Sequence, residues 1–141
     1  IKSYRKESSV LACEVFALPP GTLCYCLRAV LLLNEQPITQ STFYFPPAIG
    51  SRLKRGDFDD VVVFRAVQRH LGIKLSRAQI KVRAELADES LGLALDCAPG
   101  AAILAMEMLY YASSGEPVEL TLSKNRGDQF SITHNAPNDL V

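Results

Sequence analysis

Hydrophobic and polar positions follow two periods along this chain, and the changes of period mark out its elements. From Ser76 to Leu86 the period is two. Ile80, Val82, Ala84 and Leu86 fall on one side, and Gln79, Lys81, Arg83 and Glu85 on the other. That alternation predicts a strand with one face in solvent. Val63, Phe64, Val67 and Leu71 recur instead at helical spacing. Asp60 stands where it can cap this helix, and Gly72 where a helix end favours a left-handed residue. Asp88 can cap a second, short helix that ends near Leu95.

Two long, mostly apolar runs, Thr22 to Leu33 and Ala101 to Ala112, read as long strands. Each is followed by a polar turn ending in proline, Asn34 to Pro37 and Ser114 to Pro117. Each then returns as a shorter strand, Ile38 to Phe45 and Val118 to Ser123. Turns ending in Gly21 and Gly100 precede the two hairpins, so the chain carries an internal pseudo-repeat. Ser8 to Phe16 reads as a further strand from its β-branched and apolar content. Gln129 to Thr133 reads as a last strand, and 135–141 as a loose tail. The first hairpin turn does not match the tightest two-residue kind. The fold class is α+β: one domain over 1–141, a mainly antiparallel sheet with a few packed helices.

Composition narrows the functions available. The 141 residues contain 15 Lys plus Arg and 15 Asp plus Glu, a net charge of zero. A protein that holds DNA by its phosphates usually carries a basic excess or stripe. No apolar run approaches the ~20 residues that span a bilayer. The chain begins at Ile1 rather than Met, with no signal-peptide pattern, and reads as a portion of something larger. Its four cysteines are Cys13, Cys24, Cys26 and Cys97. Cys24 and Cys26 share a strand face, as half of a metal site or as small core residues. No second pair completes a zinc spacing, and a reducing cytosol is the expected compartment.

Candidate chemistry is sparse. There is no phosphate-binding glycine loop, no nucleophile elbow and no paired-histidine metal motif. His70 and His134 read as surface histidines. Asp57, Asp59 and Asp60 precede a helix, which suits capping and dipole complementarity better than a cation site. Arg52, Lys54 and Arg55 read as a solvated loop. Glu119 stands out: a carboxylate between Val118 and Leu120, on the same strand face as Thr121. It can accept from a ligand's amine or hydroxyl, or pair with a basic residue on a neighbouring strand.

Ser114-Gly115-Glu116-Pro117-Val118-Glu119, followed by Asn125-Arg126-Gly127-Asp128-Gln129-Phe130, resembles the C-terminal signature of the UTRA domain. Gln36-Pro37-Ile38 with Tyr44 and Pro46, the helix end at His70-Leu71-Gly72-Ile73, and Ala87-Asp88-Glu89 extend the likeness over about residues 8–134. The resemblance implies a chorismate lyase-like fold. It also implies the role of effector-binding and dimerisation domain in a cytoplasmic HutC-type regulator of the GntR superfamily. There a small molecule controls DNA binding by a separate N-terminal winged helix-turn-helix, and no catalysis, cofactor, metal or membrane is involved.

Family members that hold phosphosugars use an Arg-x-Arg pair, which falls here on Ala29 and Leu31, with Arg28 one residue out of register. A carboxylate position falls on Ser41, a Ser-x-Tyr pair on Val62 and Phe64, and a tyrosine on Asn125, while Glu119 is retained. The resemblance therefore implies an effector site of Glu119, Ala29, Leu31, Ser41, Val62, Phe64, Asn125 and Arg28. Its phosphate clamp is lost, and its effector is smaller or less charged, with an amine, imidazole or hydroxyl facing Glu119. Arg126 and Asp128 are expected to be structural. Only Ala17 to Thr22 connects where the family places a short helix before the first hairpin, so that helix is expected either to be lost in this member or to lie in residues missing from this sequence. A dimerisation module with a vestigial pocket is the alternative. A chorismate lyase-like enzyme recruiting Glu119, Arg28 and Arg83 is a weaker one, because fold does not transfer activity.

Overall fold

A computed structural model describes residues 1–137. Its elements run β1 (Ser3–Ser8), α1 (Val10–Val15), β2 (Leu23–Leu33), β3 (Gln36–Phe45), α2 (Pro47–Gly50), a single 3₁₀ turn (Arg55–Asp57), α3 (Val63–Leu71), β4 (Leu75–Leu86), α4 (Glu89–Leu95), β5 (Ala102–Ala112) and β6 (Pro117–Arg126). The strands form one six-stranded sheet in the order β1-β2-β3-β6-β5-β4, with every neighbouring pair antiparallel.

The pseudo-repeat extends further than the hairpins. Each half is strand, short helix, long strand, return strand, and the halves meet where β3 pairs with β6 from Thr39↔Asn125 to Tyr44↔Leu120. Even the backbone exceptions match. Ala17 and Asp96 follow their helices at φ of 53° and 52°, and Gly21 and Gly100 close the next turns at 83° and 85°. The hairpin turns do differ. Asn34 and Glu35 are both left-handed, which makes the first, against expectation, a tight two-residue turn with Pro37 already inside β3. The second turn is longer and has Gly115 at φ 97°.

The expected strand from Ser8 to Phe16 is instead the end of β1 and the helix α1. The Ser9 hydroxyl accepts the Ala12 N–H at 3.2 Å and caps the helix, and Ala12, Cys13 and Phe16 turn one face inward. β-branched content misled here because six residues hold too few turns to display a helical period. A helix therefore does stand between the first strand and the first hairpin, against expectation, and it lies before the short connection. The cap of α3 also differs. Val62 occupies the cap position, and Asp60 instead accepts the Val62 N–H at 2.9 Å. Gly72 ends α3 at φ 66° as expected. Residues Gln129 to Thr133 form no strand, because the ladder ends at Arg126 and the Gln129 N–H turns back to its carbonyl. Of the expected loose tail, 135–137 has no regular structure and 138–141 lies outside the described residues.

Helices cover both faces of the sheet. On one, α1 packs Ala12 and Phe16 against Cys24, Cys26, Tyr44, Leu109 and Leu120, and α4 buries Leu95 against Ile103. Cys24 and Cys26 are thus core residues, with burial pushing the Cys24 thiol up to about 11. On the other face, Val63, Ala66 and Val67 of α3 join Leu27, Phe43, Phe45, Leu53 and Phe58. Gly50 is required there: a Cβ at that position would meet the Cβ of Tyr25 at 2.4 Å. β4 has less cover than its alternation predicts. It is the sheet edge, and Ile80 and Val82 are 55% and 46% exposed on the nominally buried side.

Candidate functional site

Strand parity fixes which side chains meet under α3. Ser41, Ser123 and Met106 lie in one row across β3, β6 and β5. Phe43, Thr121 and Met108 form the next row, and Tyr110 stands opposite Glu119. Together with Val62 and Phe64 from the start of α3, these residues wall a cavity of about 290 Å³. Its polar floor comes from alternate β6 positions Glu119, Thr121, Ser123 and Asn125, all buried in the middle of the sheet.

Six of the eight expected positions line this cavity: Leu31, Ser41, Val62, Phe64, Glu119 and Asn125. Ala29 lines an adjoining hollow that shares the Leu31, Thr39 and Ser41 wall and reaches Asp59 and Asp60 at the surface. Arg28 is the exception to the expected set. It lies on the opposite sheet face, donating to Glu7 at 3.1 Å and to Thr42 at 3.4 Å. A larger hollow of about 510 Å³ opens beside it, but its guanidinium is already matched by the Glu7 carboxylate.

The floor residues play different parts. Asn125 donates to the Leu104 carbonyl at 2.9 Å and to Ser123 Oγ at 3.1 Å, and accepts from Thr39 at 2.7 Å. Its amide is committed to tying β3, β5 and β6 together. Glu119 is 1% exposed. Its Oε2 accepts from the Thr121 hydroxyl at 2.8 Å, while no described group donates to Oε1. Burial raises its pKa from the ordinary 4.5 to about 7, with the Thr121 hydrogen bond opposing the rise only in part. The Tyr110 hydroxyl is pushed up to about 12, first by burial and then by the Glu119 charge.

Chemically, the site is an apolar and aromatic chamber with one open, buried acceptor. Among the described residues no Lys, Arg or His lines it, so none supplies a counter-charge for phosphate. Tyr110, Met106, Met108 and Phe130 were absent from the expected set. Counting in twos back along β5 from Tyr110, the residue opposite Glu119, recovers the methionines once the β5–β6 register is known. The other expectations resolve simply. Asp59 and Asp60 share Arg69, and Asp57 accepts the Lys54 N–H and lies 3.7 Å from His70. Arg126 pairs with Asp128 at 2.7 Å and donates to the carbonyls of Leu95 and Asp96, latching the end of α4 to β6.

Comparison with known proteins adds independent findings. The family model described as UTRA domain matches residues 1–131. The HTH-type transcriptional regulator Rv0792c of Mycobacterium tuberculosis is 27% identical over 113 residues, covering 77% of this chain and only 42% of that protein. A GntR-family transcriptional regulator structure from Enterococcus faecalis superposes with a TM-score of 0.85 at 18% identity, covering 96% of this chain and 97% of that one. The effector-binding domain of the Bacillus subtilis trehalose repressor superposes at 0.80 with 15% identity, covering 96% and 94%. These neighbours share the α+β, chorismate lyase-like architecture. With the family model spanning nearly the whole chain and the same fold in both neighbours, this chain belongs to the UTRA domain family.

Proposed function

We propose that this chain is the effector-binding half of a GntR-family transcriptional regulator, a single domain over 1–141 in a cytoplasmic protein. A small molecule bound under α3 would control operator binding by a separate N-terminal winged helix-turn-helix. The observation that carries the reading is the cavity itself: a largely apolar cleft over the centre of the sheet, with one buried carboxylate oxygen that no described group donates to. The trehalose repressor domain, which has the same fold, is named for effector binding. The domain acts by binding rather than catalysis, and two copies pair in the regulator. The exposed Ile80 and Val82 on edge strand β4 support such pairing, since an open ladder beside an apolar face favours a second strand.

The test is thermal unfolding of the purified chain with a metabolite panel of amines, amino acids, aromatic acids and sugar phosphates. A ligand selective for the native state adds ~2.7 kcal/mol at a hundredfold excess over Kd. A saturable shift that Glu119→Gln or Phe64→Ala removes supports the reading. No shift across the panel favours a dimerisation module with a vestigial cavity.

A further inference from the structure

We propose that the ligand of this cavity carries one protonated nitrogen, as an ammonium, amidinium or imidazolium, on a compact apolar or aromatic body, with its N–H donated to Glu119 Oε1. The proposal rests on the effector-binding reading and deepens it by naming the ligand's charge. Three independent features of the walls support it.

The first is the acceptor. Thr121 donates to Oε2, while Oε1 is buried with no donor among the described residues, on a side chain that lines the cavity. A carboxylate flanked by apolar walls binds a charged donor most strongly, because the hydrogen bond then joins two opposite charges in a low-dielectric site. The second is the wall. Phe43, Phe64, Tyr110 and Phe130 present aromatic rings, and Met106 and Met108 present polarizable sulfurs. Ring faces attract a cation that has left water. Phe64 and Tyr110 already form a pair, with centroids 5.3 Å apart. The third is the rim. The adjoining hollow shares the Leu31–Thr39–Ser41 wall and opens beside Asp59 and Asp60, two carboxylates sharing the single guanidinium of Arg69. The rim thus sets two carboxylates against one guanidinium, and among the described residues no Lys, Arg or His on the cavity wall would meet an anion.

Recognition of this kind is coupled to a proton. Among the described residues, Tyr110 is the only other titratable group on the cavity wall, and it stays protonated. A cation seated on Glu119 requires the ionised carboxylate, so below pH 7 binding expels the carboxyl proton. With Glu119 titrating at about 7 before binding, affinity near pH 6 is about tenfold weaker than above pH 8, and about nine-tenths of a proton is released there.

The test is calorimetry and thermal shift with phenethylamine, cyclohexylamine and benzamidine. They are set against phenethyl alcohol, phenylacetate and glucose phosphate. Expected are binding by at least one of the bases and at least tenfold weaker binding of the alcohol. No binding of either anion is expected. Glu119→Gln weakens the base at least tenfold while leaving the alcohol within threefold. The wild-type chain supplies a variant-free check: heats in buffers of different ionisation enthalpy report the released proton near pH 6. Binding of phenylacetate or glucose phosphate with none of the bases leaves the effector-binding reading standing and overturns this one. Base binding with no proton release and no response to Glu119→Gln also overturns it. No binding by any of the six compounds overturns both.

Discussion

Replacing Glu119 by glutamine should stabilise the ligand-free chain, and by an amount that grows with pH. The wild-type carboxyl titrates at about 7 in the native state against an ordinary 4.5. The native state therefore holds a proton that the unfolded state has released between those limits. Stability falls as pH rises through this window, since it falls wherever the native state binds more protons. At ~1.4 kcal/mol per pH unit, the displacement amounts to about 3 kcal/mol, absent below pH 4.5 and complete above pH 7. Glutamine fills the same space and cannot ionise. Urea unfolding of both proteins between about pH 4 and 8 yields the difference curve, which cancels the titration of every other group. The expected curve is flat in acid and rises by about 3 kcal/mol by pH 8, or roughly 10 °C in Tm for a domain of this size. A curve that stays flat within about 0.5 kcal/mol, or slopes the other way, refutes the claim that Glu119 is neutralised by burial.

Other changes have equally definite outcomes. Gly50→Ala forces a methyl onto the Tyr25 Cβ at 2.4 Å and should cost about 3 kcal/mol in denaturant unfolding. Ser9→Ala removes the α1 cap and should cost ~1 kcal/mol, with Ser9→Asp recovering most of it. Asn125→Leu leaves the Leu104 carbonyl and the Thr39 hydroxyl without their partner in the centre of the sheet. It should cost about 2–3 kcal/mol whether or not ligand is present. Under the proposed pairing of two copies through β4, Ile80→Lys with Val82→Lys should lower the mass seen by light scattering to that of one copy while the unfolding midpoint at high dilution is kept.

How much of this was legible in the chain depended on the reach of the signal. Both hairpins, α3 with its Gly72 end and α4 with its Asp88 cap carry their information within a dozen residues, and each formed where expected. α1 did not, because Val10 and Val15 pull the local propensity toward strand while the Ser9 cap is a single residue. The site was legible from one side only. Glu119 and Thr121 share a face by parity within β6, but Met106, Met108 and Tyr110 lie in an apolar run whose two faces look alike. Register alone separates them. The open Oε1 is legible from no local pattern, because it depends on what β3, β5 and α3 bring near it.

The seam between β3 and β6 has a kinetic consequence. Its pairs join residues as far apart as Thr39 and Asn125, whereas each hairpin closes within a few residues. Long loops close at an entropic cost before their contacts form, so the two halves should become ordered ahead of the seam that joins them. The cavity floor is that seam, so it should be completed last. A ligand seated there engages a surface that the folding transition state lacks. It should therefore leave the refolding rate unchanged and lengthen the lifetime of the folded chain, acting as a latch on an assembled joint rather than as a template for its assembly.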